Sequence, residues 1–156
     1  HGNEPSHHTT YMYAYSGQPY KIADKVRYIN NELYTDQPDG LSGNEDCGQM
    51  SAWYILSSMG FYPVNPSNGA YVFGSPLFDE VVLDIPGQKQ FKISAKNNSD
   101  KNIYIQSVSL NGEDHKYSYI THKEILKGGE LEFTMGPKPN KDFGKEKKYR
   151  PESIVY

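Results

Sequence analysis

At 156 residues the chain suits one domain or two small ones and is long enough to bury a real core. Its 36% hydrophobic and 13% aromatic content excludes a disordered chain, and a net charge of −3 gives no electrostatic case for nucleic acid. No apolar run reaches the length of a membrane span, and the single Cys47 excludes an internal disulfide framework.

The start, His1-Gly2-Asn3, lacks an initiator Met and reads as the middle of a longer polypeptide, so the lack of a visible signal peptide says little about export. Asn3-Glu4-Pro5-Ser6-His7-His8 predicts a helix start, with Pro5 suited to the first position and Glu4 able to cap. His8, Tyr11, Met12 and Tyr15 follow at helical spacing before Gly17. Pro19 opens a second helix with an apolar stripe of Ile22, Val26, Ile29 and Leu33, while Asp24, Lys25, Arg27 and Glu32 lie largely off it. Thr35 to Gly40 is a polar turn.

The stretch from Gly40 to Tyr54 carries the chemistry. Asn44, Glu45 and Asp46 sit between glycines, directly ahead of a helix whose apolar positions include Met50, Trp53 and Leu56 and which Gly60 closes. A single acid before a helix is ordinarily a cap, accepting from the unpaired N–H groups of the first turn. Two acids and an Asn compressed between glycines exceed that need, and point to a site.

After Gly60 the period changes. Prolines, Asn and Gly predict irregular backbone over 63–76. Glu80–Ile85, Gln90–Ala95, Ile103–Leu110 and Leu131–Met135 alternate as strands, Asn111-Gly112 is a hairpin turn leading into Lys116–Ile120, and Thr121-His122-Lys123-Glu124 has capping-box spacing. The expected fold is α+β: three helices in residues 5–60, then an antiparallel β unit. The tail from Pro137 reads as solvated surface. The fourteen tyrosines suit polyhydroxylated ligands and ordinary half-buried surface equally.

His1-Gly2-Asn3-Glu4-Pro5-Ser6-His7-His8, the stretch Gly43 to Tyr54, and Gly60-Phe61-Tyr62-Pro63 together resemble the C-terminal part of family 92 glycoside hydrolases, which are calcium-dependent exo-acting α-mannosidases. Gly128 to Asn140 resembles the closing β region of that family. The resemblance implies that residues 1–75 are the last helices of an (α/α)6 toroid and that 76–156 are a C-terminal β region and tail. It implies a mannose-containing glycan as substrate, the remainder of the parent polypeptide as partner, and a periplasmic or extracellular location. Helices separated from such a toroid would expose apolar faces and associate.

The resemblance also implies roles. Asp46 corresponds to the general base of an inverting hydrolysis, with Glu45 beside it in the catalytic motif. Asn3 and Glu4, with Asp46, correspond to groups around Ca2+, a hard cation that takes oxygen ligands. Asn44, where many relatives carry an acid, and His7 and His8 are the candidate substrate contacts. Adjacent histidines face different directions on a helix, so packing or hydrogen bonding is the plainer reading for most of them. Cys47 stands where Asn also occurs in the family and receives no redox role. The general acid of the family is a Glu upstream of the first motif, outside this chain, so the chain alone is expected to be inactive. Glu32 and Glu80 read as surface acids. Two rivals differ in class or mechanism. A carbohydrate-binding or structural module would not need the Asn-Glu-Asp motif, and a calcium-independent toroid glycosidase would not need Asn3-Glu4.

Overall fold

A computed structural model describes residues 1–153. Two α-helices, α1 (Tyr20–Glu32) and α2 (Gln49–Met59), are followed by β1 (Phe61–Asn65), β2 (Ala70–Phe73), β3 (Glu80–Ile85), β4 (Lys89–Lys96), β5 (Tyr104–Leu110) and β6 (Glu113–Asp114). β7 (Tyr119–Thr121), a short helix α3 (His122–Ile125) and β8 (Gly129–Gly136) complete the regular elements. The chain is mixed α and β, as expected. Among the described residues no helix is long and apolar enough to cross a membrane.

The strands form two sheets: β1-β2-β7, and β3-β4-β8-β5-β6. Alternation along the small sheet explains how the layers stack. Phe61 and Phe73 join Phe91, Ile93 and Phe133 of the large sheet in one core. Their neighbours Tyr62 and Val72 point the other way, into a second core with Tyr11, Ile22, Val26 and Trp53. The small sheet is thus the middle layer between the helical segments and the large sheet, and Leu56 touches both cores.

Several elements match the sequence pattern closely. The stripe on α1 is buried at Ile22, Val26 and Ile29, and Gly60 closes α2 at φ 106, its N–H bonding to Leu56 and Ser57 carbonyls. Asn111 and Gly112 take φ 54 and 83, the turn that pairs β5 with β6. Thr121 and Glu124 form a full capping box on α3.

Four expectations are corrected. The first helix is instead two 3₁₀ segments, Glu4–Ser6 and Thr9–Ala14. A three-residue period lines up Tyr11 with Ala14 against the core and leaves His8 and Met12 exposed. Residues 63–76 are not all irregular, because β1 and β2 pair across them. Pro63 is accommodated since β1 is an edge strand and the register shifts between Tyr62 and Asn65. The β unit is not purely antiparallel: β4 and β8 run parallel from Phe91 opposite Gly129 to Lys96 opposite Thr134. In addition, only Tyr119 and Ile120 of the 116–120 segment lie in a strand, β7, and it joins β2 rather than the large sheet. The tail keeps its lysines in solvent but folds back, with Phe143 on the sheet core and the Tyr149 carbonyl accepting from Ser118 N–H at 2.9 Å.

Arg27, which the stripe placed off the core, is only 7% exposed. Its guanidinium donates to Ser75 Oγ at 2.9 Å, to the Pro76 carbonyl at 2.5 Å and to Asn98 Oδ1. Tyr104 adds a bond to Asp24 at 2.6 Å, so α1 is fixed to the loops and strands of the β half by polar contacts. Burial lowers the Arg27 pKa, offset in part by Asp100 and Asp79. Arg27→Met keeps much of the stem volume but removes the donor to two buried acceptors and a part-buried one. The expected loss is about 1–3 kcal/mol of stability, read as a lower denaturation midpoint with an unchanged slope.

Candidate active site

The site is built where two polar segments meet at the start of α2. Residues 1–7 run beside the 42–46 loop, and their backbones touch: a methyl group added at Gly2 would fall 2.4 Å from the Ser42 carbonyl oxygen, and one at Gly43 would fall 2.2 Å from that of Gly2. Only glycine permits this approach. The loop then makes a sharp reversal through Cys47 (φ 53) and Gly48 (φ 79), both left-handed, before α2 begins. Left-handed backbone is most accessible to Gly and Asn, so Cys47 occupies a conformation uncommon for its residue type.

The two acids of the loop are placed differently. Glu45 reaches forward to Ser51, its Oε1 accepting from the Ser51 N–H at 3.2 Å and its Oε2 from the Ser51 hydroxyl at 2.7 Å. Ser51 N–H is one of the unpaired donors of the first turn of α2, so Glu45 is the cap. Asp46 is exposed and makes no side-chain bond to any described residue. Its backbone carbonyl accepts from Gln49 N–H. Asn44 and Cys47 are also exposed.

The first motif is held by aromatic packing and hydrogen bonds. Trp53 has no exposure and donates its indole N–H to the His7 carbonyl at 3.0 Å. The His1 ring packs 4.2 Å from Trp53 and stacks on His7 at 4.5 Å. His1 Nε2 lies 2.8 Å from the Tyr34 hydroxyl, which bonds to the Met50 carbonyl at 3.1 Å. Burial, reinforced by Glu45, pushes the Tyr34 phenol well above its usual range. Tyr11, wholly buried and likewise raised, donates to Ser57 at 2.7 Å.

Of the candidate substrate contacts, His8 is exposed, whereas His7 is 2% exposed with both ring nitrogens facing groups of the chain, the His1 carbonyl at 3.0 Å and Gln49 Nε2 at 3.2 Å. Asn3 is exposed, and Glu4 is half-buried with its Oε1 shielded from solvent and without a donor. Among the described residues no three His, Cys, Asp or Glu side chains gather as a metal cluster. Of the expected oxygen ligands Asn3, Glu4 and Asp46, only Glu4 has a buried carboxylate oxygen without a donor, an atom whose chemistry suits a hard cation. The sequence reading gave no role to Tyr34 or Gln49. Neither falls in a recognisable spacing, and both are found only through their contacts. Glu32 is exposed, and Glu80 pairs with Lys92 at 2.9 Å on the outer sheet face.

Burial lowers the His7 pKa from 6.5, the Glu4 charge opposing this in part. A buried neutral imidazole must take up a proton on unfolding at acid pH, so it contributes stability that is lost as pH falls below about 6.5. His7→Asn should flatten this part of the pH–stability curve, measured by denaturation between pH 7 and 5.

The comparisons with known proteins agree on one family. The sequence model described as the glycosyl hydrolase family 92 catalytic domain matches residues 1–137. A relative from Arthroderma benhamiae, described as an uncharacterized secreted glycosidase, is 33% identical over 138 residues, 86% of this chain and 18% of its own length. A family 92 α-mannosidase of Bacteroides thetaiotaomicron superposes with a TM-score of 0.94 at 41% identity, covering 100% of this chain and 21% of that one. A family 92 inverting mannosidase from the same species superposes with a TM-score of 0.92 at 43% identity, over 98% of this chain and 21% of that one. The chain therefore spans about a fifth of the length of these relatives and belongs to glycosyl hydrolase family 92.

Proposed function

We propose that this chain supplies the general-base side of an exo-acting α-mannosidase that hydrolyses terminal α-mannosides with inversion and the help of calcium. Family membership supports glycoside hydrolysis, and the solved relatives described as mannosidases support mannose as the sugar. The observation that carries the assignment within the chain is the division between its two loop acids. Glu45 is occupied in capping α2 through Ser51, and Asp46 is exposed with its carboxylate uncommitted.

In this reading Asp46 takes the proton from a water molecule as that water attacks the anomeric carbon from the face opposite the leaving group. Glu45 orients the loop by fixing it to the helix start. Asn44 and His8, both exposed beside the site, bind sugar hydroxyls, and His7 acts from beneath by fixing the backbone that carries the first motif. Asn3, Glu4 and Asp46 would hold calcium, which when bound supplies positive charge to grip ring hydroxyls and favour distortion toward the oxocarbenium-like transition state. The acid that protonates the leaving group lies outside this chain, so the chain alone gives no turnover. The α-helices and 3₁₀ segments of residues 1–75 belong to a helical toroid completed by the rest of the parent polypeptide, which acts on glycans in the periplasm or outside the cell.

Asp46→Asn in the full-length enzyme preserves shape but cannot accept the proton. Turnover of an aryl α-mannoside should fall about 10²–10⁴-fold, with KM changing less. Glu45→Gln keeps one acceptor for Ser51 and should cost much less. Near wild-type turnover by Asp46→Asn would remove Asp46 from the base role, and an active enzyme that binds no calcium in calorimetry would remove the metal.

A further inference from the structure

Gln49, the first residue of α2, lies three positions after Asp46 and is half-buried. Its side-chain amide nitrogen is 3.2 Å from His7 Nδ1 and 2.8 Å from the Tyr62 hydroxyl, so each amide hydrogen has a partner. An amide N–H can only donate, which makes His7 Nδ1 an acceptor. The opposite nitrogen, Nε2, faces the His1 carbonyl at 3.0 Å, which can only accept, so Nε2 carries the proton. The two contacts demand the same neutral tautomer of a ring that is almost wholly buried.

The relay has a direction. From Gln49 it passes through the His7 ring to the His1 carbonyl, and it ends on the backbone that leads through Gly2 to Asn3 and Glu4. The same backbone returns to α2 where Trp53 Nε1 donates to the His7 carbonyl at 3.0 Å. Segment 1–7 is therefore fastened to α2 at both ends of His7, once by side chain and once by main chain, and Asp46 precedes that helix by three residues.

We infer that Gln49 is a positioning residue that sets the first motif against Asp46 by holding His7 as the Nε2–H tautomer. The inference rests on the reading of Asn3, Glu4 and Asp46 as one site. Both amide hydrogens of Gln49 are engaged within the chain, so its effect runs through His7 and Tyr62. Substitution of Gln49 removes the one donor to Nδ1, leaves that buried nitrogen without a partner and should let the His7 ring and the 1–4 segment shift. A displacement on the order of an ångström at reacting groups is worth about 10²-fold in rate.

Neutron diffraction on the full-length enzyme tests the relay directly. The expected result is a His7 proton on Nε2 and none on Nδ1. Gln49→Glu is isosteric but presents only acceptors, so in that variant Nδ1 should carry a proton as well while Nε2 keeps its own toward the His1 carbonyl. Gln49→Met fills the same space without a donor and should lower kcat about 10²-fold, with KM changing less. A wild-type His7 protonated on Nδ1 overturns the proposal, as does a folded Gln49→Met enzyme with wild-type kcat. If Gln49→Met does not fold, the wild-type proton position still decides. Failure of the Asp46 assignment is separable, because wild-type turnover by Asp46→Asn leaves the His7 proton where Gln49 places it.

Discussion

Trp53 is the side chain on which the geometry of the site depends. It is the single tryptophan of the chain, it has no exposure, and its only polar atom is bonded to the His7 carbonyl. Five rings surround it: His1 at 4.2 Å, Tyr34 parallel at 6.0 Å, and His7, Tyr11 and Tyr62 each at 6.3 Å. An indole needs a large apolar enclosure and one acceptor. Meeting both requirements brings the N-terminal segment, the turn after α1 and the start of α2 to one place. His7 and Gln49 lie on the rim of that aromatic cluster and are held by hydrogen bonds to it.

Physical chemistry also separates the roles of neighbouring acids. A helix start presents unpaired N–H groups that must be satisfied, and Glu45 meets one of them with Oε1 on the Ser51 N–H while its Oε2 accepts from the Ser51 hydroxyl. Once the cap is supplied by one carboxylate, the adjacent one is released from structural duty. The left-handed pair Cys47 and Gly48 completes the separation, because it turns the chain sharply between Asp46 and the helix. Compression of two acids into one short loop therefore leaves one carboxylate bound to the helix start and the other uncommitted.

Much of the architecture was legible where a period or a turn rule operates locally. Alternation marked β3, β4 and the core of β8, and residue chemistry marked the Asn111-Gly112 turn and the Thr121–Glu124 capping box. The two loop acids were legible as a motif. What escaped was set by partners distant in sequence. Pro63 sits in a strand because that strand is an edge, Tyr11 enforces a three-residue period from across the core, and Arg27 is buried by acceptors from residues 75, 76 and 98. Gln49 looked like an ordinary first residue of a helix, since its meaning lies in His7 and Tyr62.

The parallel pairing of β4 with β8 has a consequence for how the chain acquires its structure. β8 occupies the centre of the large sheet, between β4 and β5, yet it is the last strand among the described residues. Strands made earlier therefore have no partner on their inner edges until residues 129–136 are available. Loop closure over that separation must precede any gain from pairing, which makes the step slow. Through that interval the apolar faces of Phe91, Ile93 and Val108 have no central strand to cover their flanks, so β4 and β5 are the places where a nascent or refolding chain is open to pairing with another molecule.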